Sequence, residues 1–151
     1  SISAYAFTFN GAAISWSSKR QRTISTSTVE AEYVALCAGA KQAVWLRGLF
    51  IELGQSQFLA QTLGKSVQIY GDNQGALALV ENPENHSRTK HIDVQYHYIR
   101  YLVGNGSISV AYCPTDQMAA DALTKPLARV KFLRCLETLF GLGMGTRIGA
   151  K

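Results

Sequence analysis

Apolar residues alternate with small or polar ones along Tyr5-Ala6-Phe7-Thr8-Phe9, and the run is rich in aromatics, which predicts a half-buried strand. Asn10-Gly11 then gives a strong two-residue turn signal, and Ala12-Ala13-Ile14-Ser15-Trp16-Ser17 reads as the partner strand, so the chain opens with a hairpin. Lys19, Arg20, Gln21 and Arg22 form a basic loop, either a solvated turn or an edge that meets phosphate. After it the period changes. Apolar residues recur at Val29, Tyr33, Leu36, Ala40, Ala43 or Val44, Phe50 and Ile51, a helical stripe of about six turns. Ser25, Thr26, Ser27 and Thr28 are its N-cap candidates and Gly54 its stop.

Residues 55–66 form a polar connection with one apolar patch, Phe58-Leu59. Val67-Gln68-Ile69-Tyr70 is a short apolar run with the character of a buried strand; Gly71 permits a tight turn, and a helix begins at Asn73-Gln74-Gly75-Ala76-Leu77. A loop with Pro83 leads to Thr89, which can cap a helix with the stripe Ile92, Tyr96, Ile99 and Val103. The other face of that helix carries Lys90, Asp93, His97 and Arg100, a set that a solvated, salt-bridged surface would also produce. Gly104-Asn105-Gly106 turns the chain into a strand over residues 107–112, which Pro114 ends. Thr115 or Asp116 can cap a short helix running through Leu123 with Asp121 inside it, and Pro126 breaks it. Val130, Leu133, Leu136, Leu139 and Phe140 predict an amphipathic C-terminal helix, followed by a glycine-rich flexible tail.

A length of 151 residues fits one domain, and 47% hydrophobic residues fit a packed core rather than a disordered chain. Lysine and arginine exceed aspartate and glutamate by 15 to 10, a net charge of +5 that suits a polyanionic partner without requiring one. Cys37, Cys113 and Cys135 are odd in number and widely spaced, as reduced thiols in a cytoplasmic or nuclear protein are. No apolar stretch reads as a membrane span and no secretory signal is visible, so no membrane partner is expected. His86, His91 and His97 lack the spacing and the accompanying cysteines of a zinc site.

The chemistry centres on Asp72. It follows a buried strand, at the edge where ligands of open α/β sheets bind, and it precedes a helix amino terminus. The competing reading is that Asp72 merely caps that helix. On the long helix Glu32 lies nearer the apolar stripe than Glu30, so Glu32 is the better candidate to face the sheet. Glu32, Asp72 and Asp121 thus fall on three separate elements. Hard carboxylate oxygens suit magnesium, and clustered carboxylates are best tolerated when cations share them.

Four segments carry a family resemblance: Ser27-Thr28-Val29-Glu30-Ala31-Glu32-Tyr33, Tyr70-Gly71-Asp72-Asn73-Gln74, residues 90–100 (Lys-His-Ile-Asp-Val-Gln-Tyr-His-Tyr-Ile-Arg) and residues 119–127 (Ala-Ala-Asp-Ala-Leu-Thr-Lys-Pro-Leu). Together with residues 11–19 and Gln21 they resemble the ribonuclease H domain of copia-type LTR retrotransposon Pol polyproteins. The resemblance implies an α/β fold of the ribonuclease H-like type, a five-stranded mixed sheet flanked by helices, over residues 1–142, with residues 143–151 as a tail. It also implies cleavage of the RNA strand of RNA–DNA hybrids by a two-ion magnesium or manganese site. By motif, Glu32, Asp72 and Asp121 would be its catalytic metal ligands, with Glu30 the alternative to Glu32. Lys19, Arg20, Arg22, Thr28, Asn73, Gln74, Lys90, His91, His97 and Arg100 would meet nucleic acid, read by shape and 2′-hydroxyls. The pattern departs from the family at one point: the central strand that precedes the hairpin in relatives, with its aspartate, is missing, and no acidic residue precedes Glu30. The partners implied are a hybrid or duplex nucleic acid, the rest of a reverse transcriptase polyprotein, and a second copy or another chain in place of that strand. The alternative function is a domesticated module that binds nucleic acid or protein and no longer cleaves.

Overall fold

Asn10 at φ 50° and Gly11 at φ 88° put both central residues of the first turn in the left-handed region, the geometry that joins two twisted strands tightly. The computed structural model describes residues 1–22, 25, 27–54, 57, 66–82 and 90–141, the side chains of residues 90–92 excepted. Strands β1 (Ile2–Phe9) and β2 (Ala12–Arg20) pair antiparallel from Ile2 opposite Arg20 to Phe9 opposite Ala12, with an irregularity between Phe7 and Thr8. The ladder runs further than the aromatic alternation predicts. Lys19 and Arg20 therefore end β2 as exposed strand residues and are not part of a loop. Gln21 ties the hairpin to the next helix: its Nε2 donates to Ser3 Oγ at 2.7 Å and to the Ala31 carbonyl at 2.9 Å.

Helix α1 (Thr28–Glu52) is capped by Ser27, whose Oγ accepts the Glu30 N–H at 3.2 Å, and it stops before Gly54 at φ 74°. Tyr33, Leu36, Cys37, Ala40, Ala43 and Leu46 are buried along it, packed toward β1 and the later elements. Of the alternatives Ala43 and Val44, Ala43 is the buried one, in line with Leu46, while Ile51, expected on the stripe, stays exposed. By length and composition α1 is long and apolar enough to cross a membrane, which the sequence pattern did not anticipate; in this structure its apolar face forms the domain core.

Strand β3 (Val67–Gly71) pairs parallel with β4 (Ile108–Tyr112), from Val67 opposite Ile108 to Gly71 opposite Tyr112. Between them run α2 (Gln74–Glu81) and α3 (Lys90–Gly104). Tyr96, Ile99 and Leu102 carry the buried face of α3, while Val103 only borders it. The rings of Tyr33 and Tyr96 lie 4.1 Å apart, and the Tyr33 hydroxyl donates to the Tyr96 carbonyl at 3.5 Å. Burial pushes the Tyr33 phenol well above its usual range. Among the described residues the strands form two separate two-stranded sheets, β1–β2 and β3–β4, in place of the five-stranded sheet that the resemblance implies. Helix α1 packs on both.

After β4 the chain makes two 3-10 segments, Thr115–Gln117 and Ala119–Leu123, rather than one capped helix. Met118, extended at ψ 100°, separates them, and neither Thr115 nor Asp116 supplies a side-chain cap. Helix α4 (Arg129–Phe140) closes the described chain. Its expected stripe is largely in solvent: Val130, Leu133 and Phe140 are exposed and Cys135 is its buried residue. The packed side is the one carrying Lys131 and Cys135, four residues apart, and it lies on the Ala119–Leu123 segment and β2. All three cysteines are buried. The tail expected over residues 143–151 lies outside the described residues, as do Phe58-Leu59, Pro83, His86 and Thr89.

Two glycines should respond in opposite directions. A Cβ on Gly48, inside α1, meets nothing within 4 Å, so Gly48→Ala should raise stability by about 0.5–1 kcal/mol in urea unfolding. Gly141, at φ 70° where α4 ends, would place a Cβ 2.9 Å from the Gly11 carbonyl oxygen. Gly141→Ala should lower stability by about 1–2 kcal/mol from the left-handed backbone alone.

Candidate active site

A cavity of about 140 Å³ separates β1 from β3. Ala4 and Ala6 line it from β1, Ile69 and Tyr70 from β3, and Leu36 and Gly39 from α1. Glu32, Asp72 and Asp121 all line the same cavity. Each reaches it by a different local rule. Asp72 stands immediately after β3, at the carboxyl end of the strand. Asn73 is the N-cap of α2, its Oδ1 accepting the Ala76 N–H at 2.9 Å, which excludes the capping role for Asp72. Glu32, Leu36 and Gly39 follow helical spacing along the cavity wall of α1. Glu30 instead heads the stripe of Tyr33, Cys37 and Ala40 and is 5% exposed. Asp121 projects from the segment Ala119–Leu123, which packs against β1.

The electrostatics follow from this convergence. Glu32 keeps solvent contact at the cavity rim, yet the surrounding wall desolvates its carboxyl enough to raise its pKa above the ordinary 4.5. The negative charges of Asp72 and then Asp121 raise it further, and Lys125 opposes them. Asp121 is the buried member, 7% exposed. Its Oδ2 is approached by Lys125 Nζ at 3.2 Å and also accepts from Lys131 Nζ of α4. The Asp121 carbonyl is bonded too, by the Thr124 hydroxyl at 3.0 Å. Neither lysine was assigned a role from the sequence. Lys125 is legible as an i, i+4 partner of Asp121, but the ten-residue separation of Lys131 carries no local signal.

In kind, this donor set fits a hard divalent cation: three carboxylates ring one cavity, and ammonium groups neutralise one of them. In the present side-chain positions no three His, Cys, Asp or Glu residues among those described stand close enough to share an ion.

The residues expected to meet nucleic acid are more dispersed. Lys19 and Arg20 project from the end of β2, Arg22 follows them, and Thr28 begins α1; all are exposed. Gln74 is exposed at the start of α2, while Asn73 is occupied as its cap. His97 is exposed on α3, whereas Arg100 is half-buried and donates through Nη2 to the Asn82 carbonyl at 3.3 Å. The side chains of Lys90 and His91 lie outside the described residues.

A raised carboxyl pKa has a definite sign in stability. The folded state holds the Glu32 proton to higher pH than the unfolded chain, so this group favours folding most below pH 4.5, and that advantage disappears as pH rises through the raised folded value. Asp72→Asn should therefore move the Glu32 midpoint down in a carboxyl-carbon NMR titration. An unchanged midpoint would show that Asp72 does not act on Glu32.

No protein-family profile and no solved structure matches the chain. It is 44% identical over 137 residues to the Retrovirus-related Pol polyprotein from transposon TNT 1-94 of Nicotiana tabacum, covering 91% of this chain and 10% of that protein. It is 43% identical over 119 residues to the corresponding polyprotein from transposon RE2 of Arabidopsis thaliana, covering 79% of this chain and 8% of the relative. A shorter match, 50% identical over 46 residues, links it to the Secreted RxLR effector protein 161 of Plasmopara viticola, covering 30% of this chain and 32% of that protein. The chain spans a tenth or less of the length of the polyproteins it matches. Over most of its length, it is homologous to one segment of retrotransposon Pol polyproteins.

Proposed function

We propose that this chain is the ribonuclease H domain of a copia-type Pol polyprotein and hydrolyses the RNA strand of an RNA–DNA hybrid. The observation that carries the reading is the arrival of Glu32, Asp72 and Asp121, from three different elements, at one cavity beyond the carboxyl end of β3. The homology to retrotransposon Pol polyproteins supports it independently. In this reading Glu32, Asp72 and Asp121 would hold magnesium or manganese. Bound there, such a cation supplies an activated water and neutralises charge on the leaving oxygen. The chain's own residues do the rest. Asp72 fixes the position of the site at the strand end, and Glu32 sets the charge at its mouth. Lys19, Arg20 and Arg22 offer phosphate contacts at the end of the hairpin, and such contacts make binding fall steeply with salt.

The fold itself supports one further element. The edges of β1 and β3 turned toward the cavity pair with no described strand. A strand inserted there would join both sheets into the single sheet that the resemblance implies and would bring a further acidic residue to the cavity. Polyproteins about ten times the matched length have chain to supply it, and a second copy or another protein could also do so. The second reading, a binding module that does not cleave, draws on the hold of two lysines on Asp121 and the lack of three converging ligands among the described residues.

Cleavage of a labelled RNA–DNA hybrid with magnesium or manganese separates them. Activity lost by at least about 100-fold in Asp72→Asn, the range expected for a lost electrostatic group in a catalytic site, is the expected outcome. Salt-sensitive hybrid binding with no cleavage in either protein would favour the binding module. Neither binding nor cleavage, even with a strand-forming acidic peptide added, would overturn both.

A further inference from the structure

Asp121 is nearly buried, and an uncompensated carboxylate in that position is costly unless a cation stands beside it. Two ammonium groups do, on the same oxygen, but they are not equivalent. Lys125 lies four residues from Asp121 on the same stretch of chain, so its contact holds no other element in place. Its side chain is also 53% exposed. Lys131 belongs to α4, is 22% exposed, and bridges from that helix to the cavity wall. Lys131 lies on the packed side of α4, which meets the Ala119–Leu123 segment and β2. Cys135 is its buried residue, with Sγ 3.7 Å from the Met118 carbonyl. Val130, Phe132, Leu133 and Phe140 all remain exposed. Beside Cys135 only Leu136 and Leu139 add half-buried apolar surface, so the charged tie is a directional anchor on that side. That tie is made to a carboxylate that also lines the cavity where a divalent cation would be held.

We propose that Lys131 is an internal cation latch. It fastens α4 to Asp121, and it competes with a divalent cation for that carboxylate, so that cation loading of the cavity and docking of α4 oppose each other. The inference rests on the reading of Asp121 as a metal ligand only for its second half; the fastening of α4 stands on the ion pair itself. Ammonium released from Asp121 can reach solvent by rotation of the lysine side chain, which is already partly exposed.

The test is hydrogen exchange of the α4 amides in the full chain, with Mn²⁺ binding followed separately through water-proton relaxation. Lys131→Gln should raise α4 exchange roughly tenfold without any metal, as expected for loss of a charge-assisted bond. Lys125→Gln should leave it unchanged. Saturating Mn²⁺ should loosen α4 in the natural chain but have no further effect in Lys131→Gln, which should bind Mn²⁺ more tightly. Unchanged α4 exchange in Lys131→Gln would overturn the latch. Mn²⁺ bound to the natural chain with α4 still protected would overturn the competition while leaving the metal-site reading intact. No Mn²⁺ bound by either protein would overturn the competition and the metal-site reading together.

Discussion

The close approach of α1 to two sheets that do not hydrogen-bond to each other is the constraint on which everything else in this molecule rests. Small residues make it possible. Gly39, Ala40 and Ala43 leave the middle of the helix thin enough for β1 to come against it, and a Cβ on Gly39 would already stand 3.8 Å from that of Tyr5. Larger side chains at either end, Tyr33 and Leu46, then fill the space beside the strands and α3. Each fully buried side chain of that size contributes about 1.5–3 kcal/mol. The helix thereby does mechanically what a continuous ladder does in a larger sheet: it fixes the distance between β1 and β3, and so fixes the width of the cavity between them.

Charge is managed within that frame by unequal exposure. Glu32 is left at the rim, where water moderates the repulsion from Asp72 and Asp121. Asp121, sealed from water, is given lysines instead. The same three carboxylates packed equally deep would have been mutually prohibitive without cations. Graded burial lets the fold carry an acidic cavity as a stable resting state.

Much of this was legible in the sequence, for reasons that differ by element. Asn10-Gly11 dictated the hairpin through backbone sterics alone. The period of the long helix gave α1 but ordered its two acids wrongly: Glu30, read as the farther from the apolar stripe, is buried on it, while Glu32 is exposed and lines the cavity. What the pattern missed were consequences of tertiary contact. Lys19 and Arg20 read as loop because they are charged, yet cross-strand pairing with Ile2 and Ser3 extends the ladder through them. The apolar positions of α4 predicted a face that is only partly buried: Leu136 and Leu139 are half-buried, while Val130, Leu133 and Phe140 are exposed, and Lys131 and Cys135 make the contacts to Asp121 and the Met118 carbonyl. Asp72 and Asn73 are both good capping residues, and only the backbone geometry after Gly71 decides that Asn73 does it.

The hydrogen bond from Ser18 Oγ to the Leu123 carbonyl, 2.6 Å long, joins residues 105 positions apart. It places the hairpin against the segment that bears Asp121, so the acidic cavity is closed by segments far apart in sequence rather than by neighbours. Contacts of such high separation must overcome loop-closure entropy before they are rewarded, which makes them late events in folding. During synthesis the hairpin and α1 would therefore form well before the cavity, and the three carboxylates would stay separated and harmless until the segment that bears Asp121 had been made.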